Sequence, residues 1–368
     1  MKLKLNDRKW KEFYLSGDNG IFKNYHGKRL IKDRRIQGYT PLLTAGEQNQ
    51  GVTDFISNHD MKKFKDFISI DMFGNAFYHE YICCGDDNIY FFVNDNISRE
   101  AKLFITTSIN NNKNKYSYGK QFRQRNADTI KVMLPVSNED NTKPDWDFMK
   151  QYIEDEECLK KQEYICYIEK KIKSYSFKQI EELNAKKWGE FYIKDLFDEI
   201  QRGKRLIKSK QIPGQVPYVS STADNNGVDN FISNDKNIRK FSNCLSLANS
   251  GSVGASFYEP FEFIASDHVT HLKNYKMNKF IYLFIATITG RLKDKYNFNR
   301  EISDTRISKE KIILPIEKNG QPDYDYMEQY IKNIMISKYK EYMEYIKYNS
   351  IVAKDIIEKD TSKHIVVE

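Results

Sequence analysis

Asp267, His268 and His271, in the run DHVTH, carry the residue types of a metal site. In a strand, however, His268 and His271 stand an odd number of residues apart and point to opposite faces. A metal site also needs further converging ligands, so this run reads as structural. Asp145, Glu169 and Lys171 supply the acids and base of a metal-dependent nuclease, but all three fall on one expected helix. At about 1.5 Å per residue, Asp145 and Glu169 would lie roughly 36 Å apart and cannot share an ion. There is no Pro-Pro for an adenine methyltransferase loop and no G-x-x-x-x-G-K-[ST] phosphate loop. GSVGAS, Gly251 to Ser256, lacks the third glycine and the following helix of a dinucleotide fingerprint. We therefore expect no catalytic residue, no metal and no cofactor bound by this chain.

What the chain does repeat is basic and polar loop chemistry. GKRLIK occurs at Gly27–Lys32 and again at Gly203–Lys208. Lys28-Arg29 and Lys204-Arg205 each follow a glycine, a combination suited to phosphate contact. LTAGEQNQ (Leu43 to Gln50) holds Gln48 and Asn49; SSTADNN (Ser220 to Asn226), its positional equivalent, holds Ser221, Thr222, Asn225 and Asn226. KYSYGKQFRQRN contributes Lys120, Arg123 and Arg125, where KYNFNREISDTR contributes Asn297, Arg300 and Arg306; Ser252 sits in the glycine-rich turn. Arg, Asn, Gln and Ser make the contacts that distinguish base edges. A shared scaffold with diverging polar loops is what two readers of different short DNA sequences would show. Solvated loops that drift in sequence would leave the same pattern, and these residues alone do not separate the two.

The scaffold needed to position such loops is itself duplicated. Trp10 with Glu12-Phe13-Tyr14 returns as Trp188 with Glu190-Phe191-Tyr192, Gly51-Val52 as Gly227-Val228, and Leu134-Pro135 as Leu314-Pro315. Pro144-Asp145-Trp146-Asp147-Phe148-Met149 returns as Pro322-Asp323-Tyr324-Asp325-Tyr326-Met327, all at a spacing of 176 to 180 residues. Solenoid repeats run roughly 20 to 50 residues, so this period means two domains. Within each half, short β-branched and aromatic runs alternate with turn signals such as DNNG and NSGS. MNKFIYLFIATITGRL reads as a helix ending near Gly290, although its Ile and Thr keep a strand open.

After Pro144 and again after Pro322, Gly and Pro vanish and Glu, Lys, Tyr and Ile take over, to about Leu183 and Lys359. Met335, Tyr339, Tyr342, Ile346, Asn349, Ala353 and Ile356 alternate steps of four and three; Ile165, Ile168, Ile172 and Tyr175 do the same in the first segment. This is the spacing of a coiled-coil seam. Two such helices, each on the order of 50 Å long, can each pack on their own globular domain or bury both seams against each other, and the second arrangement is the expectation here. The fold class is thus α+β, with two duplicated mixed α/β domains, 1–144 and 186–322, separated by two long helices, 145–185 and 323–360, and a tail, 361–368.

Composition narrows the setting. A net charge of +8 suits a polyanionic partner without requiring one, and 14% aromatic content argues against disorder. The five cysteines include no C-x-x-C pair and read as reduced and structural. No apolar run is long enough for a membrane span, and MKLKLNDRKW has no apolar signal-peptide core. A cytoplasmic location follows as the expectation.

The combined pattern resembles a known family. Trp188-x-Glu-Phe, Leu196-Phe197, Gly203-Lys204-Arg205-Leu206, Gly214-x-x-Pro217-Tyr218 and Asn226-Gly227-Val228, followed by NSGSVGASFYEPFEFIASDHV and Leu314-Pro315, look like the target recognition domains of restriction-modification specificity (S) subunits. The likeness is to type I systems and to the related type II systems with a separate specificity chain, and it covers nearly the whole length. The first copy departs from it, with IDMFGNAFY for NSGSVGASFY and GDDN for ASDHV. The resemblance implies a non-catalytic DNA-recognition subunit in which each domain reads one half of a split target in the major groove. It implies an antiparallel coiled coil as spacer, and partner modification subunits that carry the N6-adenine methyltransferase and its S-adenosylmethionine. A restriction or translocase subunit is a further partner the family allows. A DNA-processing nuclease with an unrecognised active site, or a scaffold that binds the modification subunit without reading DNA, are the competing functions.

Overall fold

The computed structural model describes residues 3–138, 140–297 and 299–363, the stretch 348–363 as helix backbone alone. The chain forms two compact units, Met1–Tyr164 and Ile165–Glu368. In the first, the order is β1 (Lys9–Tyr14), β2 (Lys23–His26), β3 (Gln37–Leu43), β4 (Val52–Ile56), β5 (Phe67–Asp71), β6 (Ala76–His79), β7 (Cys84–Gly85), β8 (Ile89–Val93), α1 (Arg99–Asn110), α2 (Gln124–Thr129), β9 (Lys131–Val136) and α3 (Trp146–Tyr175). The unit boundary falls within α3. The second unit continues with β10 (Trp188–Tyr192), α4 (Ile193–Leu196), β11 (Glu199–Arg202), β12 (Pro213–Val219), β13 (Val228–Ile232), β14 (Lys240–Phe241), β15 (Cys244–Ala248), β16 (Ser256–Glu259), β17 (Phe263–Ala265), β18 (Val269–Lys273), α5 (Lys279–Thr289), α6 (Asp304–Lys309), β19 (Lys311–Pro315) and α7 (Tyr324–Lys363).

The sheets repeat with the sequence. β1 pairs antiparallel with β9, Trp10 opposite Pro135, and β10 with β19, Trp188 opposite Pro315. A four-stranded sheet in the order β2-β8-β5-β6 recurs as β11-β18-β15-β16, and β4-β3-β7 recurs as β13-β12-β17 with β14 added at the edge. The central strands β5 and β15 are buried along their whole length. The Ile- and Thr-rich run becomes α5. Asn278 caps it by accepting from the amides of Phe280 and Ile281 at 2.9 and 3.3 Å. Phe280, Ile281, Phe284 and Ile285 then fall on one buried face at helical spacing. Each unit has its own core: Ile68, Phe92, Ile105, Leu134 and Met149 in the first, Leu245, Leu272, Ile285, Leu314 and Met327 in the second.

The repeated Pro-Asp-aromatic motif starts both long helices. Asp145 accepts from the Phe148 amide at 3.0 Å and Asp323 from the Tyr326 amide at 2.9 Å, each as an N-cap. Each cap also holds a cation: Arg8 lies 2.7 Å from Asp145 and Lys186 lies 2.7 Å from Asp323. Those cations sit 4.8 Å over the Phe148 ring and 4.7 Å over the Tyr326 ring. One lock is thus built twice.

The first long helix is shorter than expected. Instead of reaching Leu183 or residue 185, α3 stops at Tyr175, and Ser176 turns to φ 51°. Side chains of α7 supply the reason. Gln329 donates to the Ser176 carbonyl at 3.0 Å, Asn333 to that of Lys178 at 2.7 Å and Tyr326 to that of Glu181 at 2.9 Å. These bonds hold an extended segment that helix propensity alone would have wound up. On the apolar side, Ile172 and Tyr175 pack with Ile331, Met335, Ile336 and Tyr339 of α7 and with Phe280. Ile168 is fully buried and Ile165 half-buried, whereas Tyr342 is 37% exposed. The seam positions Asn349, Ala353 and Ile356 lie outside the described side chains, and residues 364–368 of the tail lie outside the described residues altogether.

Cys83, Cys84 and Cys244 are buried, and burial pushes the Cys83 and Cys244 thiols up to about 12. Cys158 and Cys166 correct the expectation that all five are structural, because both are exposed on α3. Among the described residues, no helix is long and apolar enough to cross a membrane.

Candidate nucleic-acid interface

The glycine of the basic motif is there because nothing else fits. A Cβ on Gly27 would stand 1.9 Å from the Asp86 carbonyl oxygen, and one on Gly203 would stand 2.1 Å from that of Ala265. Backbone bonds fix this approach: Gly27 and Lys28 donate to Ile89 and Gly85 at 2.9 and 3.0 Å, Gly203 and Lys204 to Val269 and Ala265 at 3.0 and 3.1 Å. Leu30 and Leu206 then anchor inward among apolar neighbours. The Lys-Arg pair between glycine and leucine is left facing out.

The two pairs are not electrostatically equal. Lys28 is held by Asp60 at 2.6 Å, a contact that draws the exposed Asp60 carboxyl below its usual range, and Arg29 lies 3.9 Å from Asp87. In the second unit the counterpart of Asp60, two residues beyond Asn234 as Asp60 is beyond Asn58, is Lys236. Lys204 and Arg205 are exposed and have no ion pair among the described residues.

The loop between β3 and β4 and that between β12 and β13 share a backbone that their sequences do not announce. Asn49, Gln50 and Gly51 have φ of 48°, 54° and 83°; Asn225, Asn226 and Gly227 have 49°, 54° and 81°. A run of left-handed residues is costly except for Gly and, less so, Asn. The same turn therefore displays Asn-Gln in one copy and Asn-Asn in the other, both exposed. Gln48 precedes the first turn on the surface. Ser221 and Thr222, half-buried, lead into the second, with Thr222 accepting from the Asp224 amide at 3.1 Å.

The remaining sites come to the same neighbourhood. Ser252 donates its amide to the Ser221 carbonyl at 2.9 Å, and the Ile302 amide reaches the Asn249 carbonyl at 3.0 Å, tying the glycine-rich turn to the segment with Asn297, Arg300 and Arg306. In the first unit the Phe122 amide reaches the Met72 carbonyl at 2.8 Å in the same way, beside Lys120 and Arg123. Ser117 bridges Lys120 as Asn297 bridges Arg300. Arg300 lies 5.5 Å over the Tyr296 ring, Arg306 donates to the Glu301 carbonyl at 2.6 Å, Arg123 bonds the Gln121 side-chain oxygen, and Lys120 and Arg125 are exposed. Arg29 and Arg123 line one cleft with Asp86, Asp87 and Asn88.

Sequence reading missed several members. Asp71, only 2% exposed, accepts from the Gly46, Phe73 and Asn75 amides at 2.9, 2.8 and 2.9 Å and so holds two loops together. Arg202, with its Nε 2.7 Å from Asp304, braces the start of α6. A lone Asp or Arg in a strand gives no such signal. DHVTH divides: His271 lies in β18, is 1% exposed and stacks on Phe241 at 3.8 Å, whereas His268 lies in the preceding turn and is exposed. Among the described residues, no cluster of His, Cys, Asp or Glu could hold a metal ion.

Comparison with known proteins agrees with the duplication. The family model described as the type I restriction modification DNA specificity domain matches residues 8–165 and again 185–344. The chain is 28% identical over 311 residues to the specificity subunit S.BcgI of the type II restriction enzyme BgcI from Heyndrickxia coagulans, covering 82% of this chain and 87% of that protein. Among solved structures, the S subunit of a type I restriction-modification system from M. genitalium aligns at a TM-score of 0.45 and 14% identity over 98% of both chains. The HsdS subunit from Thermoanaerobacter tengcongensis aligns at 0.30 and 12%, over 92% of this chain and 91% of the other. With its domain found twice at the period of the internal repeat, the chain belongs to the type I restriction modification DNA specificity family, as the specificity subunit of a restriction-modification system.

Proposed function

We propose that the two domains, 1–144 and 186–322, each read one half of a split double-stranded DNA target, and that the chain itself catalyses nothing. The observation that carries this is the left-handed turn built to the same φ values in both copies but displaying Asn49-Gln50 in one and Asn225-Asn226 in the other. A common backbone with different bidentate side chains is a device for presenting different hydrogen-bond patterns to base edges. Lys28, Arg29, Lys204 and Arg205 lie against phosphate. α3 and α7 pair as an antiparallel coiled coil that sets the half-site separation, and N6-adenine methyltransferase subunits carrying S-adenosylmethionine dock around them. This chain holds no cofactor. The packing of Tyr175 against Tyr339 supports the helix pairing.

Replacing Lys204 and Arg205 by Ala should weaken binding to every sequence and flatten the dependence of log affinity on log salt by about one to two units of slope. Salt titrations of the assembled complex measure it; an unchanged slope removes these residues from the phosphate contacts. Specificity is tested by substituting Asn225, Asn226 and Arg300 by Ala and profiling methylation on a library randomised across both half-sites. Each lost bidentate contact should relax only the half-site of the second domain, by roughly 1 to 3 kcal/mol, with the other half-site and the spacing intact. Equal changes in both halves, or none, would defeat the two-reader arrangement.

A further inference from the structure

His268 stands where the loops of the second domain meet. Its amide donates to Ser266 Oγ at 3.2 Å, and its carbonyl accepts from the Asn249 amide at 2.8 Å. Asn249 is itself bonded through its carbonyl to Ile302, in the segment that carries Arg300 and Arg306. On the other side, Val269, the next residue, accepts from Gly203 of the basic motif at 3.0 Å. The turn thus fixes the imidazole between the basic motif and the polar loops.

The ring is oriented as well as placed. Ser250 Oγ lies 2.7 Å from Nδ1, and Ser250 is 5% exposed, while the His268 side chain is 47% exposed. Nδ1 is the one hydrogen-bond partner of that buried hydroxyl among the described residues. A buried hydroxyl hydrogen does not go unpaired, so Ser250 donates to Nδ1 and the ring proton resides on Nε2. Nε2 itself has no hydrogen bond among the described residues; Asp267 is near it but at 3.9 Å. An exposed, aligned N–H donor is a group for meeting an acceptor.

The first copy repeats the turn with another side chain. Asn88 occupies the position of His268, one residue before the strand that begins at Ile89 as His268 precedes Val269. Its backbone amide is held by Asp86 Oδ1 at 2.9 Å, as that of His268 is held by Ser266; its side-chain amide also donates to the Asp86 carboxylate, and the residue lines the cleft with Arg29 and Arg123.

We propose that His268 and Asn88 are specificity-determining residues of the two domains. His268 presents Nε2–H to an acceptor on a base edge, a purine N7 or guanine O6, and Ser250 acts as the positioning residue that sets the tautomer. Asn88 keeps its amide oxygen and its second N–H beyond the bond to Asp86, an acceptor and a donor that suit the N6/N7 edge of adenine. The assignment rests on the two-reader function above.

The test is methylation profiling of the intact complex on the randomised library. His268→Ala should lower discrimination at one base position of the second half-site by about tenfold and leave the first half-site as it was. His268→Asn should change the preferred base at that same position. Ser250→Ala, which leaves the ring present but untethered, should relax that position by a smaller factor. Unaltered preferences in His268→Ala, a uniform loss of affinity at all positions, or a Ser250→Ala effect at a different position would overturn the assignment while the two half-sites of the unaltered complex still attest the two-reader function. No bipartite preference in the unaltered complex would overturn both.

Discussion

Replacing Asp323 by Ala should destabilise the second domain by about 3 kcal/mol, because one carboxylate performs two tasks there. It caps α7 through the Tyr326 amide, a contact that contributes about 1 kcal/mol. It also neutralises Lys186, whose side chain is only 13% exposed and whose other acid, Glu181, lies at 4.0 Å. Removing the partner of a largely buried cation costs more than the pair contributed, since the remaining charge stays desolvated. Asp323→Asn keeps the cap and loses the charge, so it should fall between the two. Asp323→Ala combined with Lys186→Met should recover part of the loss. The measurement is hydrogen exchange of the first turns of α7 in the intact chain. A change below about 0.5 kcal/mol would show that the repeated Pro-Asp motif does not lock the helix start.

The two domains should respond to pH in opposite directions. On β5 and β15, Ser69 and Ser246 are matched residues, and each bonds a buried titratable group across the sheet: His79 Nε2 at 2.9 Å in one copy, Glu259 Oε1 at 2.9 Å in the other. His79 is 0% and Glu259 1% exposed. Burial holds the His79 imidazole down at about 4, from 6.5, and pushes the Glu259 carboxyl up to about 7, from 4.5.

The signs follow from which state binds the proton more tightly. The folded first domain binds a proton on His79 less readily than the unfolded chain, so its stability is full above about pH 6.5 and is lost as pH falls through 4. The folded second domain binds one on Glu259 more readily, so its stability is full below about pH 4.5 and is lost as pH rises through 7. Each effect is on the order of 3 kcal/mol. Glu259→Gln, which keeps the bond to Ser246 but cannot ionise, should therefore stabilise the second domain by about that amount at pH 8 and by less than about 1 kcal/mol at pH 5. His79→Gln should protect the first domain at pH 5 and change little at pH 8. Exchange of the β5–β6 and β15–β16 amides in the intact chain, corrected for intrinsic rates, reports both. A Glu259→Gln gain that is the same at pH 5 and pH 8 would be falsifying, since it could not come from ionisation.

Much of the architecture is legible in the residues. The constant offset between Trp10 and Trp188, or between Asp145 and Asp323, gives the duplication outright, because equivalent side chains at equivalent spacing must build equivalent packing. Indeed Trp10 stacks on Phe104 and Trp188 on Phe284, with centroids 5.9 and 6.3 Å apart. The starts of α3 and α7 are legible for a local reason: an N-cap needs only an Asp and the amide three residues on. The outward-facing basic motif is legible as well, since Gly-Lys-Arg-Leu alternates a forced backbone, two charges and an anchor.

The end of α3 is not legible, because its run of Lys, Tyr and Ile is content to remain helical. Only the side chains of Tyr326, Gln329 and Asn333, more than 140 residues later in the chain, extend the backbone beyond Ser176. The matched left-handed turns are half legible: Gly51 and Gly227 mark a turn, but Gln50 taking the conformation of Asn226 needs the strands that hold it. The division of DHVTH into a buried ring and an exposed one depends on where β18 begins, and hence on its pairing with β11 and β15. Sequence by itself determined the duplication into two domains, the starts of the two long helices and the outward-facing basic motif, since these rest on periodicity and on sterics acting within a few residues. Tertiary structure alone decided which side chains share a face, which cation keeps an acid beside it and which histidine meets solvent, because those depend on contacts between residues that the chain separates and only the folded sheets bring within bonding distance.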